Sequence, residues 1–136
     1  MESILLGEGM VQRVDSSLTL RLAQKSLDAC VLRQQALAKN IANAETPGYK
    51  RIDVASDFAD RLKAAALRGG AKGKLPDATL GEDTRARVQR ADGNTVDLEN
   101  ELLQLNKNQV THEYLTHLVG SHYKMLKTAI TGRNLA

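Results

Sequence analysis

The stretch Asn40-Ile41-Ala42-Asn43-Ala44-Glu45-Thr46-Pro47-Gly48-Tyr49-Lys50 decides the fold, because a long helical pattern runs into it and stops. Thr46 precedes a proline, and the clash with the proline ring pushes it out of helical dihedrals. Pro47 has no N–H to continue a helix, and its fixed φ suits the second position of a turn. Gly48 follows where a type II turn needs φ > 0. The spacing therefore predicts a sharp helix exit, with Tyr49 packing back beside the helix end. Asn40 and Asn43 are expected to hydrogen-bond backbone or neighbouring chains there.

Upstream of the exit, apolar residues step by three and four: Leu20, Ala23, Leu27, Cys30, Leu37, Ile41 and Ala44, interrupted by Gln34. This a/d spacing is the signature of a coiled-coil seam. Asp15, Ser16 and Ser17 are candidate N-caps, so a helix is expected to start between Val11 and Ser17. Residues 1–10, which contain Gly7 and Gly9, read as an extension. Ala29, Ala36, Ala38 and Ala42 lie off the seam and would let other helices approach closely.

Downstream, residues 50–55 alternate apolar and polar and read as extended. Ser56 looks like an N-cap for a short helix whose one face holds Phe58, Leu62 and Ala65 or Ala66, with Gly69-Gly70 ending it. Residues 69–95 read as a loop with a small hairpin around Thr84 to Val88, too long to be idle in a compact domain. Asp97 then caps a second long helix, with Glu99 and Glu101 at its positive end. Its expected seam runs through Leu98, Leu102, Leu105, Gln109, His112, Thr116, Val119, Tyr123, Leu126 and Ile130, and Gly132 is a natural stop.

The fold class that follows is mainly α: long N- and C-terminal helices paired as a coiled-coil-like hairpin around an irregular middle. The expected divisions of this one domain are 1–15 (extension), 16–49 (helix and turn), 50–96 (variable middle) and 97–136 (C-terminal helix). Aromatics are only 3% of the 136 residues, so the apolar content suits helix seams better than a thick core. A two-helix pair of this length buries little for its size, and its remaining apolar surface calls for other chains.

Several chemistries are disfavoured. A net charge of +3, with no basic tract interleaved with aromatics, does not suit nucleic acid. Cys30 is the single cysteine and sits at an apolar helical position, where it acts as a small hydrophobe. His112 and His117 are five apart, about 140° round a helix, rather than the four that a zinc-protease helix needs. The run Gly69 to Leu75 lacks both the spacing and the Ser/Thr of a phosphate loop. No catalytic set, metal, cofactor or small-molecule substrate is expected. No run suits a membrane span, and the N-terminus lacks the plan of a secretory signal.

The run Leu37 to Tyr49, with its Asn-Ile-Ala-Asn core and its Thr-Pro-Gly-Tyr, resembles the N-terminal signature of bacterial flagellar rod and hook proteins. The short middle, the segment Asp92-Gly93-Asn94-Thr95-Val96-Asp97-Leu98-Glu99, and Asn108-Gln109 followed by Tyr114 resemble the proximal rod member of that family. The resemblance implies a non-enzymatic rod subunit in the periplasmic part of the basal body, next to the membrane ring. Its implied partners are copies of itself, other rod proteins, the rod-to-ring adaptor, the ring protein and the flagellar type III export apparatus. Export would proceed without a cleaved signal peptide. Asn40, Ile41, Ala42, Asn43, Thr46, Pro47, Gly48 and Tyr49 carry the family motif, and Phe58 with Leu62 matches an export element of early substrates. From the helical pattern alone, the alternative is a cytoplasmic helical adaptor or secretion chaperone.

Overall fold

The computed structural model describes residues 2–69 and 72–132, with side chains from residue 17 onward. Three helices and two short strands follow in the order α1 (Glu2–Ala42), β1 (Ile52–Val54), α2 (Phe58–Gly69), β2 (Leu80–Glu82) and α3 (Leu98–Thr131). α1 and α3 dominate the fold and pack along each other. They run antiparallel: Asn40 meets Glu101, Gln34 meets Asn108, and Gln24 meets Tyr123, so one number falls as the other rises.

α1 begins at Glu2, well before the start expected between Val11 and Ser17. Residues 2–10 therefore belong to the helix, and Asp15, Ser16 and Ser17 lie inside it. A Ser or Asp within a helix costs only about half a kcal/mol, too little to end one. At the other end the helix closes as its sequence dictates. Asn43 N–H still reaches the Lys39 carbonyl at 3.0 Å, Thr46 N–H bonds Asn43 O at 3.0 Å, and Tyr49 N–H bonds Thr46 O at 3.2 Å. Pro47 and Gly48 occupy the two central positions of that last turn, and Gly48 has φ +72°, the type II geometry.

On α1 the line of every seventh residue, Ala23, Cys30 and Leu37, is buried, as is Ala44 in the turn just beyond it, while Leu20, Leu27 and Ile41 are half-buried and Gln34 is exposed. On α3 the packed face is rotated from the expected stripe. Leu105, His112 and Val119 lie on it, but Leu102, Gln109, Thr116 and Tyr123 give way to Glu101, Asn108, Leu115 and His122 one position earlier. Leu98, Leu102, Tyr123, Leu126 and Ile130 are exposed. Both stripes have heptad spacing, and the polar pair Glu101 and Asn108 finds specific partners on α1 that leucines would leave unbonded. Asp97 caps α3 by accepting from Asn100 N–H, and Gly132 ends it at φ +64°.

The middle segment folds against α1. β1 and β2 pair antiparallel with Asp53 opposite Gly81. The hairpin expected around Thr84 to Val88 is absent; the strand partner of β1 lies earlier, because α2 and the return through Leu75 bring residues 80–82 alongside it. Asp57 O accepts from Arg61 N–H at 2.9 Å, so Asp57 rather than Ser56 occupies the N-cap position of α2. Phe58, Leu62 and Leu75 form a small core, packed against Leu22 and Ala29 of α1 and Val54, Ala65 and Ala78 of the middle. Gly73 lies so close to the end of α2 that a Cβ there would sit 2.6 Å from Gly69 Cα. No described helix is long and apolar enough to cross a membrane.

Candidate assembly site

The helix exit, the strands and the start of α3 converge on two buried polar centres. The first is built on Asn40, whose side chain is wholly buried. Its amide nitrogen donates to Ile52 O at 2.8 Å and to Glu101 Oε2 at 3.0 Å. Its amide oxygen accepts from Ile52 N–H at 3.0 Å and from the Tyr49 hydroxyl at 3.2 Å. All four hydrogen-bonding positions of the amide are thus filled. Tyr49 packs back beside the helix end as expected. Burial, then the Glu101 charge, raises its pKa above the ordinary tyrosine value.

Arg51 completes this centre. Its Nε donates to Glu101 Oε1 at 2.5 Å, Nη1 to Asp83 Oδ2 at 2.6 Å and Nη2 to Asp53 Oδ2 at 3.0 Å. Arg33 of α1 pairs with Asp53 at 3.2 Å from the other side. Two guanidiniums therefore face three carboxylates drawn from the middle segment and α3. Burial works against the Arg51 charge, but the hydrogen bonds and charges of Glu101 and Asp53 outweigh it and raise its pKa. The Arg51 backbone is held as well: its N–H donates to Thr95 Oγ1 at 2.8 Å, and its carbonyl accepts from Asp83 N–H at 2.8 Å.

The second centre is Asn94, also wholly buried. Its amide nitrogen donates to the carbonyls of Asn43, Ala44 and Thr46 at 3.0, 3.1 and 2.8 Å, and its oxygen accepts from Val96 N–H at 2.7 Å. These carbonyls lie at and just past the helix end; Asn43 O and Thr46 O each also accept one backbone N–H of the turn, from Thr46 and Tyr49. The Arg90 guanidinium also donates to Ala44 O. Around this cap, Gly48 N–H bonds Asp92 O at 2.9 Å, Thr95 N–H bonds Tyr49 O at 3.1 Å, and Lys50 Nζ reaches Gly93 O at 2.8 Å. The Thr-Pro-Gly-Tyr turn and the Asp-Gly-Asn-Thr segment are two halves of one structure.

Asn43 serves the helix end locally, donating to Lys39 O at 2.8 Å and accepting from the Thr46 hydroxyl at 3.2 Å. Ile41 is half-buried, and Ala42 and Pro47 are exposed. Phe58 and Leu62 lie inside the small core rather than on the surface. Further along the helix pair, Asn108 donates to Cys30 O and Gln34 Oε1, each at 3.0 Å. Arg51, Asn94, Glu101 and Asn108 were not singled out as site residues by sequence reasoning. The signal for two of them was present: Glu101 and Asn108 are polar residues seven apart on a heptad helix.

The fold and these two centres define a class: a structural stave of two long antiparallel helices, fastened near one end by polar side chains from three other segments. No family model matches the chain. It is 32% identical over 142 aligned positions to the flagellar basal body rod protein FlgB of Salmonella typhimurium, covering 92% of this chain and all of that one. FlgB of Borrelia hermsii is 30% identical, covering 83% of this chain and 96% of its own. FlgB of Bacillus subtilis is 25% identical, covering 84% and 94%. The chain belongs to the flagellar basal body rod protein FlgB family.

Proposed function

We propose that this chain is a structural subunit of the flagellar basal body rod, working by helix packing and without catalysis. The observation that carries the reading is the end-to-end likeness to FlgB proteins, which spans both helices and the fastening between them. The cytoplasmic adaptor or chaperone draws no support from those relatives. A second face of α3 supports self-assembly: Leu103, Val110, Tyr114 and Met125 lie on one side of the helix and are at least half exposed. They point away from α1 and suit neighbouring staves.

The finer placement is at the proximal end of the rod, in the periplasm beside the membrane ring. There it would contact copies of itself, other rod proteins, the adaptor and the ring. Delivery would use the flagellar type III export apparatus. Phe58 and Leu62 are buried in the folded chain, so an export reader would meet them only before folding. Imaging of isolated basal bodies from cells lacking this protein tests the reading. A membrane ring without a rod is the expected result, and an intact rod overturns it.

A further inference from the structure

We propose that α3 docks on α1 only when strand β1 is already in place, and that Arg51 is the positioning residue that makes one conditional on the other. A coiled-coil seam ordinarily closes through apolar knobs. On the α3 side of this one the apolar members, Leu105, Leu115 and Val119, are only half-buried. The only buried residues of α3 among those described are Glu101 and Asn108. Leu98, Leu102 and Leu103, in its first turns, are all about half exposed.

Glu101 is thus brought into the seam as a carboxylate with no exposure at all. Within α1 it finds a single hydrogen-bond donor, the Asn40 amide. Its counter-charge comes from outside the helix pair: Arg51, immediately before β1, is 7% exposed and donates to Glu101 through Nε. The same guanidinium holds Asp53 and Asp83, and its backbone is tied to Thr95 and Asp83. Arg51 can meet Glu101 in this way only when β1 lies against α1 and the 83–95 segment has folded over it. A buried charge that loses its partner is strongly destabilising, whereas removing both charges is close to neutral. The α1–α3 contact is therefore closed by a residue that neither helix contains.

Cys30 provides a built-in reporter. It is the only cysteine, it is buried on the α1 seam, and Asn108 of α3 bonds its carbonyl. Reaction of its thiol with a maleimide, followed on the purified full chain at neutral pH, measures opening of the seam. Arg51→Ala is expected to speed labelling on the order of a hundredfold or more. Glu101→Gln, which keeps an acceptor for Asn40 but removes the charge, is expected to label within a few-fold of the unmodified chain. The double variant is expected to return to the slow rate, while the amides of residues 52–54 exchange with solvent as fast as in Arg51→Ala.

That rescue separates charge coupling from ordinary packing, because a side chain needed only for its bulk is not replaced by neutralising its partner. An Arg51→Ala thiol as protected as the unmodified one overturns the proposal. So does a double variant as reactive as Arg51→Ala, including the case in which Arg51→Ala simply unfolds. An unmodified chain whose thiol reacts as fast as a free small-molecule thiol overturns it too, since β1 would then be failing to close the seam.

Discussion

Asn94 shows how one amide can hold a helix exit from half a chain away. Its two N–H hydrogens are shared among three carbonyls, and its oxygen takes the Val96 N–H. Each such bond contributes about 1 kcal/mol net, and the buried Val96 N–H left without its acceptor costs more. Asn94→Ala is therefore expected to destabilise the chain by about 2–3 kcal/mol, read as a lowered urea midpoint. Asn94→Asp is expected to be worse, because a carboxylate has no hydrogens for those carbonyls and its charge is repelled by their oxygens. Gly48 is a different case. A Cβ there would meet nothing within 4 Å, so its requirement comes from φ +72° alone. Gly48→Val is expected to cost about 1–2 kcal/mol from backbone strain, and Gly48→Asn distinctly less. Lys50→Ala, which loses only an exposed bond to Gly93 O, is expected to change the midpoint least.

At the scale of elements, the sequence predicts the body of α1 and its exit turn, the presence of α2 and the caps of α3, because those depend on local rules of spacing, proline and glycine; it misses the start of α1 at Glu2 and the N-cap of α2. It misplaces the packed face of α3 by one position. Leucine hydrophobicity favours the stripe through Leu102, whereas the partners of Glu101 and Asn108 on α1 and β1 are visible only once the chain is folded. The pairing of β1 with β2 is missed for the same reason, since it joins residues separated by the whole of α2. The two acids next to this seam give it an alkaline limit. Burial raises the pKa of Cys30, partly offset by the Arg33 charge, and that of Tyr49 is raised as well. A raised folded-state pKa means that the native chain holds its proton more tightly than the unfolded one. Stability is then fully present below the ordinary value and falls as pH rises past it, near 8.5 for cysteine and 10 for tyrosine. Urea midpoints followed from pH 7 to 11 are expected to drop in that order. Cys30→Ala is expected to remove the earlier fall and leave the later one. Arg51 stays charged throughout, because its own pKa moves upward.

For the whole molecule the question is which surface makes a stave into a rod. The inner face of α3 is committed to α1 through Glu101 and Asn108, so assembly has to use another side. Leu103, Val110 and Tyr114 are separated by seven and four residues, and Met125 lies eleven beyond Tyr114. At 3.6 residues per turn these steps are close to whole turns, so the four side chains make one stripe. All four are about half exposed or more, with Val110 at 67% and Tyr114 at 66%. A polar substitution on such a face disturbs nothing inside the chain, and its effect on unfolding is expected to stay within about 0.5 kcal/mol. In a packed neighbour contact the same change would bury an unpaired charge, at a cost of several kcal/mol. Val110→Glu and Tyr114→Lys are therefore expected to leave the urea midpoint of the purified chain unchanged while abolishing rods in basal-body images and swimming in soft agar. Thr116→Lys, an exposed position on a different side of α3, supplies the control and is expected to preserve both. Normal rods with both stripe variants would show that the neighbouring stave sits elsewhere. Loss of rods accompanied by a lowered midpoint would instead place those side chains in the fold of the single chain.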